Sequence, residues 1–411
     1  MPLLDRAPSP APATGTARNT RHVPAVWLAL LATPLAASAN SPVLILPDMA
    51  DAVGVRTPTA TWLVTVFAWA VAVGTPLMAG LLRRRGLGAA LRLSAVLIAA
   101  GTVVVAVAPW LPLAMAGRAA QAMGGAGLVT AAMSLAGSVR RMGVITAGFG
   151  TLGAVGPLLG SSLAGAASWR VSLAVGAVAL LALPAVMRRA DLSAPPAAGR
   201  TPFDGRGAVL LVLLATALVL VPRFPLPAAA ASALAAALLA LHIRSRPTGF
   251  VPVSLLRSRT FVLSTALACA FATSYFTLLF TVPHLLRDRT DWSTATIGTG
   301  QTLALLTGSV LSMVLAAASA RMGRPRVLTI LLAVGALAPL TAALTPWPSL
   351  LLPVATLAVF TTSAGQATLA VYATGSAAPA QRATAIGLFN LGYQLGGAFG
   401  PALAALLILG G

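Results

Sequence analysis

The chain has 411 residues, of which 58% are hydrophobic and only 8% are charged. A soluble domain carries roughly a quarter of its residues as charged side chains, so this composition excludes a water-soluble globular protein. The formal net charge is +20, but the Arg residues stand in small groups between long apolar runs. That arrangement encodes membrane topology, and it excludes a nucleic-acid surface, which would gather the charge on one face.

Apolar runs fill almost the whole chain after a polar, Pro-containing tail at 1–23, which we expect to be disordered and cytoplasmic. A helix needs about 20 residues to cross a bilayer core of roughly 30 Å. The predicted fold class is therefore all-α, a polytopic transmembrane helical bundle. The candidate spans are thirteen runs, at 25–47, 61–82, 90–110, 111–137, 144–166, 171–187, 208–222, 227–243, 261–285, 295–319, 327–345, 350–374 and 385–410.

The two longest polar connections, at 188–207 and 244–260, predict the division of the chain. After the tail 1–23 we expect a six-helix bundle at 24–187, a cytoplasmic linker at 188–207, an inserted two-helix hairpin at 208–244 and a five-helix bundle at 245–411. A single helix over 208–243 is rejected because it would place the four Arg residues of 244–259 outside the cell.

The Arg distribution predicts the orientation. With the N-terminus in the cytoplasm, 21 of the 27 Arg residues fall on the cytoplasmic side, five fall outside and Arg118 lies within the membrane. We therefore expect a multi-pass protein of a bacterial inner membrane, since the richness in Arg and Ala is typical of a GC-rich bacterial genome. Interfacial indoles are expected at the outer helix ends, where the candidates are Trp62, Trp110, Trp169, Trp292 and Trp347.

Arg118 is the main functional candidate, because a charge in the middle of a membrane costs several kcal/mol. Gln121 follows it by three residues, so both side chains lie on one face of the fourth run. The alternative is an Arg that reaches the outer surface, which is only two turns away at Trp110. Three further groups combine Gly with Pro or Arg: Gly153, Gly156, Pro157 and Gly160 in the fifth run; Gly80, Arg84 and Gly86 after the second; and Arg321, Gly323 and Arg324 after the tenth.

These groups resemble motifs of the drug-efflux branches of the major facilitator superfamily. The fourth run is similar to the family's R-x-x-Q-G-x-G, and the fifth to the G-P-x-x-G-G of antiporters and drug exporters, with Ser161 replacing the last Gly. The loop motif departs from the family's G-x-L-A-D-R-x-G-R-R, since Arg83 and, in the second copy, Ala320 stand where the family has Asp. In the family that Asp helps to latch the two halves, so the resemblance implies a differently built cytoplasmic latch.

The resemblance implies two pseudo-symmetric halves that alternate access to a midplane site. The implied function is secondary active export of small amphipathic organic compounds or antibiotics, without a cofactor and by a monomer. The inserted hairpin favours the fourteen-helix drug:proton antiporters, of which this chain would lack the last helix. The expected substrate and coupling residues are Arg118 and Gln121, together with polar residues in the first, ninth, twelfth and thirteenth apolar runs: Asn40, Tyr275, Gln366, Asn390 and Gln394.

Proton coupling stays open, because no Asp falls within a predicted span and Ser38 stands where the fourteen-helix exporters have an Asp. A proton-coupled carrier needs a titratable group within the membrane path. Asp48 or Asp51 at an outer vestibule would then have to serve, or protons are not a partner at all.

Three alternatives to an exporter remain to be weighed. A metabolite uptake carrier or facilitator has the same architecture, and a transport-inactive truncated relative would explain the missing acids and helix. A membrane-embedded enzyme is not expected, because the sequence contains no H-E-x-x-H, no His cluster and no pair of intramembrane acids. The lone Cys269 excludes a disulfide framework and a Cys-based metal site.

Overall fold

The computed structural model describes residues 23–136, 139–192, 204–319, 321–378 and 381–407. These residues are almost entirely helical and contain no strand, so the all-α prediction is confirmed. By length and composition, ten helical stretches within them could cross a membrane. Most of the predicted tail 1–23, linker residues 193–203, Ala320 and the last four residues lie outside the described ranges.

Six helical segments form the N-terminal half. The second and third are one stretch, Trp62–Val107, which is divided at Gly86. Gly86 has a φ of 78°, a left-handed backbone conformation that residues with a Cβ rarely adopt. The segments are α1 (Ala25–Leu44), α2 and α3 (Trp62–Val107), α4 (Leu111–Ala136), α5 (Val139–Ala166) and α6 (Trp169–Arg189).

Seven long helices and the short helix Val253–Arg257 follow in the described residues, and the first two form a hairpin. The helix α7 (Gly205–Leu220) has 16 residues and is joined to α8 (Pro225–Ser245) by a short turn. The C-terminal half comprises α9 (Arg259–Arg289), α10 (Thr294–Ser319), α11 (Arg324–Leu344), α12 (Leu351–Gly375) and α13 (Arg382–Leu407). The helix α9 continues beyond the predicted boundary at 285, which places His284 and Asp288 one turn apart on the same helix.

Successive segments run in opposite directions, so the bundle has two ends. We call them the Asp51 end, which holds Asp51, Trp110 and Asp288, and the Arg84 end, which holds Arg84 and Asp204. The two halves pack together through α2 against α13 and α5 against α10. One apolar core includes side chains of both halves, among them Val64 and Ala404.

The Trp side chains at the Asp51 end differ in exposure. Trp110 and Trp347 are 60% and 67% exposed, as expected of interfacial indoles. Trp169 is only 7% exposed, because it packs in an apolar cluster with Met49 and Leu63. The guanidinium of Arg170 lies 4.5 Å from its ring centroid, so Trp169 belongs to the core and not to the interface.

Candidate functional site

Arg118 lies in the interior of the N-terminal half with none of its surface exposed. Its Nη1 donates to Ser38 Oγ at 3.0 Å and to Gln121 Oε1 at 3.1 Å, and its Nη2 donates to the Ser38 carbonyl at 2.9 Å. The Phe67 ring centroid lies 4.0 Å from the guanidinium carbon. The side chain is therefore held inside the bundle and does not reach the surface near Trp110.

The polar contacts of Arg118 extend to a fourth helix through Gln121. Gln121 is 4% exposed, and its Nε2 donates to Thr102 Oγ1 of α3 at 3.1 Å. Arg118 and Gln121 on α4 thus connect α1, α2 and α3 through Ser38, Phe67 and Thr102. A charged group buried among neutral dipoles fixes the relative positions of these helices, because moving any of them would strand a donor or acceptor.

The glycines of α5 lie against the irregular part of α1, where the chain passes from an α-helix ending at Asn40 into a short 3-10 turn. A Cβ added at Gly156 would lie 3.0 Å from Asn40 Cβ, and one at Gly160 would collide with the Ser41 carbonyl oxygen. The Gly153 carbonyl accepts a hydrogen bond of 2.8 Å from Asn40 Nδ2. Gly156 and Gly160 are therefore required for the close approach of the two helices.

Asn40 is also at the contact between the two halves. The side chain of Tyr275 of α9, which is 7% exposed, lies beside that of Asn40. Tyr275 packs edge to face on Phe276, and their ring centroids are 4.9 Å apart. On α13 the Tyr393 hydroxyl accepts a bond of 3.4 Å from Thr362. The structure thus brings Asn40 and Tyr275, two of the predicted site residues, together across the seam between the halves.

The other predicted site residues lie apart from this contact. Gln366 on α12 and Asn390 and Gln394 on α13 are partly buried, and the hydrogen bonds described above do not include them. The loop motifs lie at the Arg84 end, where Gly80 is buried in α2 and Arg324 lies 5.1 Å from the ring centroid of Tyr372. The remaining members of the loop motifs are partly or fully exposed: Arg84, Gly86, Arg321 and Gly323.

A cavity of about 810 Å³ opens at the Asp51 end between the two halves. On one side it is bounded by the segment that joins α1 to α2, and on the other by the end of α9. Its charged and titratable lining comprises Asp51, Arg56, His284, Arg287 and Asp288. Sequence reasoning proposed Asp51 for a vestibule but gave no reason to place Arg56 and Arg287 beside it.

The wall formed by α9 contains Pro283 within the helix, and this proline removes one helical hydrogen bond. Because Pro has no N–H, the carbonyl four residues earlier, that of Leu279, loses its helical hydrogen bond. Gln301 of α10, which is fully buried, donates its Nε2 to this carbonyl at 2.9 Å. Gln301 therefore replaces the missing N–H. The sequence gives a signal for this role only in Pro283 itself.

A second polar cluster, also missed from the sequence, lies at the Arg84 end. The carboxylate of Asp204 accepts hydrogen bonds from the Gly207 and Phe250 N–H groups at 3.0 and 2.8 Å, and it lies 2.7 Å from His242 Nε2. Burial raises the pKa of the Asp204 carboxyl, but these hydrogen bonds and the neighbouring imidazole outweigh burial and hold it below its ordinary value. Asp204 thus joins the start of α7 to the end of α8 and the loop that follows.

Comparison with known proteins identifies the family. The sequence pattern of the Major Facilitator Superfamily matches residues 26–293 and, in a second match, 263–411. No curated protein matches the chain.

Many solved structures have a similar fold, and two serve as examples. One is a mutant of the peptide transporter POT in complex with alafosfalin, with a TM-score of 0.63 and 16% identity over 94% of this chain and 88% of that one. The other is a POT family transporter in complex with 5-aminolevulinic acid, with a TM-score of 0.63 and 14% identity over 93% and 90% of the two chains. Such low identities show the fold alone. Since the two family matches together cover nearly the whole sequence, the chain belongs to the Major Facilitator Superfamily.

Proposed function

We propose that this transporter-family protein exports small amphipathic organic compounds by alternating access. The observation that carries the proposal is the glycine face of α5, which packs closely against the broken part of α1 at Asn40 and Ser41. The sequence of this face resembles the motif of antiporters and drug exporters. Asn40 in turn lies beside Tyr275 of the other half, so a movement of the halves would change the contact next to the motif.

The experiment is drug susceptibility of an exporter-deficient bacterial strain that expresses the full chain. We expect the wild type to raise the inhibitory concentration of some amphipathic compounds, and Tyr275→Phe, which removes only the hydroxyl, to abolish most of that increase. Tyr372→Phe at the Arg84 end is the matched control, and cells that express it should be as resistant as cells that express the wild type. If wild type and Tyr275→Phe give equal resistance at equal expression, the Tyr275 hydroxyl is not part of the site.

An uptake carrier is the second candidate, and the cavity at the Asp51 end favours it. The Arg distribution predicts that this end faces outward, where a solute to be taken up would enter. One fold neighbour is described as a peptide transporter, and another as a POT family transporter with 5-aminolevulinic acid bound. Accumulation of a radiolabelled solute in expressing cells would favour uptake, whereas reduced accumulation relative to empty-vector cells supports export.

A further inference from the structure

The cavity at the Asp51 end carries the same pair of charges on each of its two walls. Asp51 and Arg56 belong to the N-terminal half, and Asp288 and Arg287 belong to α9 of the C-terminal half. The facing walls therefore offer two carboxylates and two guanidiniums, which sum to no net charge. The surface between these groups is apolar and comprises Val43, Leu46, Pro47, Val55, Phe280 and Pro283.

Most of these charges lack a charged partner in the structure. His284 Nδ1 lies 3.1 Å from Asp288 Oδ2 on the same helix. Within the part of the chain that the structure describes, no ion pair within 4 Å joins Asp51, Arg56 or Arg287 to another side chain. The Asp51 carboxylate and the guanidiniums of Arg56 and Arg287 are thus available to a ligand, and binding one would break no existing ion pair.

The shape of the cavity suits a small organic molecule. Its volume of about 810 Å³ lies within the range of roughly 300–1,000 Å³ that is usual for small-molecule sites. The wall that carries His284, Arg287 and Asp288 is the part of α9 that follows Pro283, where Gln301 of α10 donates a hydrogen bond to the Leu279 carbonyl. A wall fixed in this way presents its charged side chains from a defined position, which limits the conformational entropy lost on binding.

We propose that this cavity is a binding site for a small zwitterionic organic solute with an apolar body. The ammonium group of the solute would face Asp51, its carboxylate would face Arg287, and the body would cover Phe280 and the apolar lining. A purely cationic or anionic solute would satisfy only one sign of charge in a cavity that holds both in equal number. The inference goes beyond the proposed function, because it requires binding at this end of the bundle and does not require transport in either direction.

The first test measures equilibrium binding to the full chain in lipid nanodiscs, by calorimetry, with three probes that share one apolar body. The probes are L-leucyl-L-leucine, its C-terminal amide and its N-acetyl derivative, which are zwitterion, cation and anion. We expect the zwitterion to bind roughly fivefold more tightly than either blocked probe, the size of one partly exposed ion pair. Equal affinity for all three, or no binding of the zwitterion, would overturn the proposal.

The second test assigns each charge to its partner with two variants. Asp51→Asn should weaken the binding of the zwitterion and the amide but leave the affinity for the N-acetyl probe unchanged. Arg287→Gln should weaken the binding of the zwitterion and the N-acetyl probe but leave the affinity for the amide unchanged. General damage to the fold cannot produce this crossed pattern. The matched controls are Asp48→Asn, three residues from Asp51 but outside the lining, and Arg223→Gln in the turn between α7 and α8.

Two outcomes would contradict the assignment. One is an equal loss of affinity for all three probes in either variant, and the other is a loss of affinity in the controls as large as that in the lining variants. The assay detects binding alone, so a failed drug-susceptibility experiment would leave its result unchanged. Conversely, absence of binding here would leave export through the seam at Asn40 and Tyr275 unaffected.

Discussion

Arg118 is a permanent charge whose polar contacts in the structure are all to neutral groups. Two acceptors come from Ser38 and one from Gln121, and the Phe67 ring supplies a further favourable electrostatic contact. In a medium of low polarity such preorganised dipoles stabilise a cation, provided that each stays in place. Ser38 thus contacts Arg118 as a neutral residue.

Variants at Ser38 and Arg118 should lose stability according to the hydrogen bonds of Arg118 that each one removes. Ser38→Ala removes one acceptor but keeps the backbone carbonyl, so we expect a loss of about 1 kcal/mol. Arg118→Leu leaves Gln121 Oε1 without its donor and the Ser38 carbonyl with only the 3.2 Å bond from Ser41 Oγ, so we expect a larger loss of about 1–3 kcal/mol. Thermal unfolding of the detergent-solubilised protein measures both variants. An equal loss for the two would show that the carbonyl and Gln121 contacts contribute nothing.

Asp204 makes the linker at the Arg84 end sensitive to acid. Its pKa is lowered in the folded state, so its contribution to stability is fully present above the unfolded-state pKa of about 3.9. That contribution is lost as the pH falls further, through the lower folded-state pKa. We expect proteolysis of the linker to accelerate in that acidic window in the wild type.

The Asp204→Asn variant tests this pH dependence. It should be cut faster than the wild type at neutral pH and show a weaker acceleration below about pH 4, because its side chain cannot titrate. Asp291→Asn, at an exposed position at the opposite end of the bundle, is the matched control. A wild-type proteolysis rate that is constant across the acidic window would contradict the role of Asp204.

At the scale of helices, the positions of the helices could be predicted from hydropathy and from the placement of Arg residues. Apolar runs identified the positions of the helices, and the Gly and Pro pattern of α5 indicated close packing and bending. The packing partner could not be predicted, because the collision at Gly160 depends on the 3-10 turn of α1 at Ser41. Gln301 was missed for a similar reason, since its partner is a carbonyl freed by a proline on another helix.

The relation between Gln301 and Pro283 gives a double-mutant test. Gln301→Leu alone should destabilise the protein by about 1–3 kcal/mol, because the Leu279 carbonyl is then buried without a donor. In a Pro283→Ala background the restored N–H can bond to that carbonyl, so the same Gln301→Leu change should cost much less. Thermal unfolding of the four proteins measures the coupling. Additive effects would mean that Gln301 does not replace the missing helical donor.

At the scale of the whole molecule, the sequence did not predict which polar side chains meet at the seam between the halves. Asn40 and Tyr275 were chosen only because they are polar residues in apolar runs, yet they meet across the seam. Gln366, Asn390 and Gln394 were chosen on the same ground and take no part in that contact. Which polar side chains converge depends on helix rotation, and the weak amphipathicity of lipid-exposed helices leaves rotation poorly specified in the sequence.

The orientation of the molecule remains a prediction, and single cysteines can measure it. In a Cys269→Ala background, Thr57→Cys at the cavity should react with a membrane-impermeant thiol reagent added to intact cells. Ser254→Cys, at the Arg84 end beside Gln381, should react only after the cells are permeabilised. The reverse pattern would place the Asp51 end in the cytoplasm and contradict the distribution of Arg residues.

The position of the hairpin has a kinetic consequence. The helix α7 contacts α2 of one half and α13 of the other, and the Trp69 indole of α2 donates a hydrogen bond of 3.0 Å to Thr216. If the halves rotate against each other, α7 must slide along at least one of them in every cycle. The hairpin would then slow turnover, to an extent set by the contacts of α7 around Trp69 and not by any group that touches the solute.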